Sequence, residues 1–142
     1  MAKHILVPLD GSPQSWDAFE FAIDEFPDAA VTALHVIDPI EGGYSVRTGI
    51  PRSSEEWYEE ARDDAEALFE EARERAAEAD VTVDSVVEVG RPSRVIVEHA
   101  DAEDFDQIVV GSHGRSGVSR ILLGSVAETV VRRSSVPVTV VR

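Results

Sequence analysis

Apolar and polar positions along this 142-residue chain switch repeatedly between a strand pattern and a helical one. HILVPL, residues 4–9, is a short apolar run rich in β-branched residues and reads as a buried strand. The polar DGSPQS breaks it. Over residues 15–26, Trp16, Phe19, Ala22, Ile23 and Phe26 recur at intervals of three and four, the spacing of a helix with one buried face. AVTALHV, residues 30–36, predicts a second strand. Residues 38–54 are polar and punctuated by Gly and Pro, and predict a long loop of the kind that is usually functional or mobile. Ser53 stands three residues before Glu56, a capping-box signature. It opens a helix over 55–79, in which Trp57, Ala61, Ala65, Leu68, Phe69, Ala72, Ala76 and Ala79 keep helical spacing. The rest of that helix is mostly Glu and Asp, which reads as a solvated face and not as a metal cluster. VTVDSVVEV (81–89) predicts a third strand, RVIVEHA after GRPS a short helix, and QIVVG (107–111) a fourth strand. Residues 125–134 predict a helix with Val126, Ala127, Val130 and Val131 on one face, and VPVTVV (136–141) a fifth strand.

Strands separated by helices, in the order βαβαβαβαβ, imply an α/β fold: an open five-stranded parallel sheet with helices on both faces, built as a single domain over 1–142. In such sheets ligands bind beyond the carboxyl ends of the strands, where the strand order reverses. The segments to inspect are therefore Asp10 to Ser12, Ile37 to Asp38, Gly90 to Ser93, and Gly111 onward.

Charge narrows the choice of ligand. Thirteen basic residues against 28 acidic ones leave −15, and Lys3 is the only lysine. A wholesale acidic surface nearly without lysine predicts a halophilic protein, because at about 1 M salt the Debye length is roughly 3 Å and self-repulsion is screened. Residues 107–142 invert the sign, with five arginines (115, 120, 132, 133 and 142) against Glu128 alone. That local excess favours an anionic ligand. No long basic face with interleaved aromatics appears, which argues against nucleic acid. Cysteine is absent, which excludes disulfides and thiolate chemistry. No apolar run approaches the roughly 18 residues of a membrane span and the start lacks a signal-peptide layout, so a soluble, cytoplasmic protein is expected.

The basic region contains GSHGRSGVSRILLGS, with glycines at 111, 114, 117 and 124 and Ser125 after the last. Gly111 ends a predicted strand, while Gly114 and Gly117 permit a turning loop that leaves room for a ligand. Gly124 and Ser125 open a predicted helix, whose N-terminal N–H groups and partial positive charge suit phosphate. Ser125, His113, Arg115 and Arg120 add donors. Close helix–sheet packing is the alternative reason for the glycines.

This stretch, through VPVTVV, resembles the C-terminal half of nucleotide-binding universal stress proteins, and ILVPLDGS and ALHVID resemble the same family. The resemblance covers essentially the whole chain apart from residues 38–54. It implies a Rossmann-like, adenine nucleotide alpha hydrolase-like fold, a homodimer, and ATP at the carboxyl edge of the sheet. It further implies that Pro8, Leu9 and Asp10 line the adenosine end, with Asp10 near ribose or a magnesium ion. Val36 would offer backbone groups to adenine. Gly111, His113, Gly114 and Arg115 would wrap the phosphates from one side, and Gly124, Ser125 and Val126 from the other, with Val110 a further ATP-binding position. ATP, ADP and AMP all fit this pattern. A stress-response signalling or sensing role follows from the resemblance, with a signalling partner the sequence does not name and with no catalytic residue assigned.

Competing readings are weaker. Ser112, His113 and Asp10 outline a Ser/His/Asp hydrolase, but no G-x-S-x-G elbow is present and adjacent Ser and His side chains seldom converge. Slow ATP hydrolysis would need His113 or Asp10 as base. A phospho-receiver and a P-loop enzyme lack their lysines, and an interaction protein with an empty site would have no use for the intact glycines. His35 reads as a core or edge residue, and His4 and His99 as structural. The final strand reads as a sheet edge that a second copy would cover across a two-fold axis.

Overall fold

The computed structural model describes residues 3–42, 54–113 and 123–142. Five strands, β1 (His4–Pro8), β2 (Ala30–Ile37), β3 (Val83–Val89), β4 (Gln107–Gly111) and β5 (Val138–Val141), form one sheet in the order β3-β2-β1-β4-β5. Every pairing is parallel. Helices α1 (Pro13–Glu25), α2 (Pro39–Gly42), α3 (Ser54–Glu78), α4 (Pro92–Ala102) and α5 (Ser125–Arg133) connect them. The expected α/β class and parallel sheet are borne out.

Strand side chains alternate between two cores, as a pleated sheet covered on both faces requires. Ile5, Val7 and Leu9 of the first β-segment, Val31 and Ala33 of β2 and Val109 of β4 pack against α1 and α3 through Phe19, Ala22, Ala65, Phe69 and Ala72. On the opposite face Leu6, Leu34, Ile108 and Val110 pack against Ile96 and Ala100 of α4 and Ala127 and Val130 of α5. The edge strands are β3 and β5.

Several boundaries differ from the sequence pattern, each for a local reason. Helix α1 starts at Pro13 and not at residue 15, because Ser12 is its N-cap and proline suits the first helical position. Phe26 is the C-cap of α1, donating its N–H to the Ala22 carbonyl. The first part of the predicted long loop forms α2, and Asp38 Oδ1 accepts the Ile40 N–H at 3.0 Å. The expected cap Ser53 lies outside the described residues. Val81 precedes β3 because its N–H returns to the Ala76 carbonyl at 2.9 Å, closing the end of α3. Ala79 lies past that helix and is exposed. Strand β5 begins at Val138, since Val136 is tied back to Ser134 Oγ at 3.1 Å. Of the four α5 valine and alanine positions expected on one face, Ala127 and Val130 are buried and Val126 packs beside them, whereas Val131 is 46% exposed.

Candidate functional site

The strand order reverses between β1 and β4, so the carboxyl ends of these two neighbours frame a crevice. One side is the turn that leaves β1. Pro8 ends the strand, Leu9 is buried, and Asp10 is half-buried at the mouth. Asp10 Oδ1 accepts the Ser12 N–H at 2.9 Å, and Gly11 adopts φ +86°, a conformation that favours glycine. Ser12 Oγ then accepts the Ser15 N–H at 3.1 Å and caps α1. The amino end of α1 is thereby served by oxygens of the chain itself. Leu9 belongs to the scaffold: its side chain is in the core, its N–H donates to the Leu34 carbonyl at 2.8 Å, and its carbonyl lies 2.7 Å from His35 Nδ1.

Val36 has an orientation that periodicity alone does not reveal. Leu34 directs its carbonyl to β1, and Ile37 directs its carbonyl to β3, where the Gly90 N–H meets it at 2.9 Å. Backbone groups alternate sides along a strand, so the N–H and C=O of Val36 point toward the β1 side. The last registered pair between β1 and β2 is Pro8↔Leu34, two residues earlier. The amide of Val36 is therefore directed at the crevice that opens where β1 ends.

The opposite side comes from β4 and α5. Val110 is buried in the second core and supports the floor. Gly111 ends β4, and a Cβ there would lie 2.6 Å from the Gln14 carbonyl oxygen. Glycine at 111 is thus required by the close approach of α1, which is the packing reason set beside the ligand reason in the sequence. Beyond it, the Gly124 N–H donates to the Ser112 carbonyl at 2.6 Å, which brings the two ends of the glycine-rich segment together. A Cβ on Gly124 would meet His113 Cα and the Ser112 oxygen, each at 3.3 Å.

Gly124 is the N-cap of α5 and provides no side-chain cap. The first intrahelical bond runs from the Glu128 N–H to the Gly124 carbonyl at 2.9 Å. The N–H groups of Ser125, Val126 and Ala127 precede it and have no intrahelical acceptor. Ser125 is exposed and Val126 half-buried, so this end is open to an anion. The remaining predicted contacts, Gly114, Arg115, Gly117 and Arg120, lie outside the described residues.

Two expectations need correction. Ser112 and His113 do converge: Ser112 Oγ lies 3.1 Å from His113 Nδ1, although Ser112 is 4% exposed. The hydrolase outline gains nothing from this, because a nucleophile must reach its substrate and this hydroxyl is sealed. The arginine excess is also divided. Arg132 and Arg133 occupy the last turn of α5, about 12 Å along the helix from Gly124. Arg132 pairs there with Glu128 at 2.5 Å. Arg142 alone of the described arginines in this region follows a strand end on the crevice side.

Among the described residues, no group of three or more His, Asp or Glu is arranged to hold a metal ion, and no helix is long and apolar enough to cross a membrane. The histidines differ in role. His4 Nε2 lies 3.1 Å from Thr32 Oγ1, and its ring stacks on Phe105 at 3.9 Å. His99 packs on the same Phe105 at 5.6 Å, as the structural reading of both predicts. His35 is buried in β2, as its core reading expects, and its Nδ1 reaches the Leu9 carbonyl at the crevice.

The profile described as the Universal stress protein family matches residues 1–142. Universal stress protein MJ0531 of Methanocaldococcus jannaschii is 37% identical over 150 residues, spanning 99% of this chain and 82% of that one. Universal stress protein YxiE of Bacillus subtilis is 34% identical, with both chains covered completely. Among solved structures, MJ0577 superposes with a TM-score of 0.84 at 33% identity, covering 99% of this chain and 96% of that one. A universal stress protein crystallised in complex with cAMP superposes with a TM-score of 0.71 at 30% identity, covering 99% and 97%.

Proposed function

The chain belongs to the universal stress protein family, and on that premise we propose that it holds an adenine nucleotide between β1 and β4 and acts as a stress-response sensing dimer. One observation carries this reading: the Gly124–Ser112 closure sets the uncapped amino end of α5 beside the crevice. Backbone N–H groups there suit phosphate oxygens, each such charge interaction contributing about 0.3–1 kcal/mol when exposed. These short contacts persist in salt that screens long-range attraction. The inward-directed amide of Val36 suits the polar edge of a base. A relative that takes cAMP supports the adenine nucleotide class.

Within that class the reading favours ATP over ADP or AMP, since the amino end of α5 alone has three N–H groups ahead of its first intrahelical bond. Asp10 is the residue to hold magnesium with the nucleotide; its carboxylate is oriented by the Ser12 N–H at 2.9 Å. The site residues are Pro8, Asp10, Val36, His113, Gly114, Arg115, Gly124, Ser125 and Val126, over a scaffold of Leu9, Val110 and Gly111. The reading includes a cytoplasmic protein, no catalytic residue, and a homodimer through β5, whose outer edge pairs with no strand of this sheet. Protein purified in molar KCl with magnesium, then denatured, should release ATP detectable by mass spectrometry. Absence of any nucleotide, followed by no binding of ATP or AMP on titration, would overturn the reading.

A further inference from the structure

We propose that His35 is a positioning residue for the nucleotide site: its Nδ1–H holds the Leu9 carbonyl, ends the β1–β2 ladder there, and so sets the turn that carries Asp10. This rests on the nucleotide reading of the crevice, which it deepens.

The geometry is specific. His35 is 7% exposed in the middle of β2, and its Nδ1 lies 2.7 Å from Leu9 O. A carbonyl only accepts, so Nδ1 carries the hydrogen. Its neighbours on that face, Val31 and Ala33, are core residues, and packing alone would be served by leucine. The value of histidine here lies in its polar tip.

The ladder shows what that tip replaces. The Leu9 N–H donates to the Leu34 carbonyl at 2.8 Å, which follows from the Pro8↔Leu34 register. Continued by one step, a parallel ladder would bring the Val36 N–H onto the Leu9 carbonyl. The imidazole takes that carbonyl instead. The chain then turns away through Asp10 and Gly11, with Asp10 Oδ1 on the Ser12 N–H. One side chain therefore satisfies a buried acceptor, frees the Val36 amide for the crevice, and fixes the root of the turn.

Three variants test this: His35→Leu, which removes the donor; His35→Asn, whose side-chain N–H can stand where Nδ1 stands; and His35→Gln, which carries its donor one bond too far. Calorimetric titration with Mg-ATP and with AMP is paired with amide hydrogen exchange of residues 10–12 in nucleotide-free protein. His35→Leu should bind on the order of tenfold more weakly, the equivalent of one buried hydrogen bond. Amides 10–12 should exchange faster in it while those of β4 do not change. His35→Asn should restore both readouts and His35→Gln neither, and His35→Gln replaces His35→Leu if the latter does not fold. Unchanged exchange at 10–12 in His35→Leu, or an asparagine variant no better than leucine, would overturn the assignment. Wild-type protein that binds neither nucleotide would instead overturn the nucleotide reading, and the exchange data alone would then decide whether His35 sets the turn.

Discussion

The Gly124 N–H reaches the Ser112 carbonyl at 2.6 Å, so the glycine-rich segment between β4 and α5 leaves and re-enters the fold at one point. That closure roots both ends of the connection at the crevice. It also explains why Gly124 has no side chain: a Cβ would press on the Ser112 carbonyl oxygen that accepts the closing bond and on His113 Cα. Gly111 has a different task, and the two are separable by mutation.

Gly111→Ala should destabilise the fold whether or not nucleotide is present. Its Cβ would sit 2.6 Å from the Gln14 carbonyl oxygen and push α1 from β4. Overpacking of this kind costs about 1–3 kcal/mol. Urea unfolding would measure it, and wild-type stability would refute the packing role.

Ser12→Ala removes the oxygen that accepts the Ser15 N–H at 3.1 Å. Loss of an N-cap costs about 0.5–2 kcal/mol, and here the site is buried, so a value near 1 kcal/mol or above is expected. Thermal unfolding without nucleotide would show it as a lower midpoint. An unchanged midpoint would mean that Asp10 or solvent takes over the cap.

Strand β5 turns the carbonyls of Pro137 and Val141 toward β4, so the backbone groups of Val138 and Val140 face outward. A second copy pairing on this edge needs those groups. Val140→Pro deletes one outward N–H and keeps the inner ladder, and proline is tolerated on edge strands. Light scattering in high salt should show a dimer for the wild type and a monomer for the variant. A wild-type monomer would remove β5 as an interface.

The net charge of −15 should make stability depend on salt. The described ion pairs, Arg75–Glu71, Arg94–Glu98 and Arg132–Glu128 among them, are short-range, whereas α3 carries eleven acidic residues against three arginines. Raising KCl from 0.1 M to 2 M should lift the unfolding midpoint by roughly 5–10 °C, about 2 kcal/mol of relieved repulsion. A flat or falling midpoint would contradict the halophilic expectation.

The sheet and its order of elements were legible because buried parallel strands leave short apolar runs and amphipathic helices leave a 3.6 period. Ends were less legible. The start of α1 is hard to place because DGSPQS breaks the apolar pattern, although Ser12-Pro13 within it is a cap-and-first-turn signal. Val131 lies off the buried face because a four-residue apolar cluster fits more than one helical face. Within the candidate site, sequence does not separate a glycine that packs, such as Gly111, from one that closes a loop, such as Gly124. The core position of His35 is legible, but its partner is not. A histidine in an apolar strand shows its polarity only when its partner, the Leu9 carbonyl 26 residues away, is known.

The central claim is that the closure at Gly124 builds an adenine nucleotide site. Calorimetric titration of the wild type and of Gly124→Val with Mg-ATP tests it most directly, with circular dichroism to confirm that both are folded. The wild type should bind saturably, and the folded variant at least a hundredfold more weakly, equivalent to about 2.7 kcal/mol. Equal affinity in the two proteins would contradict it.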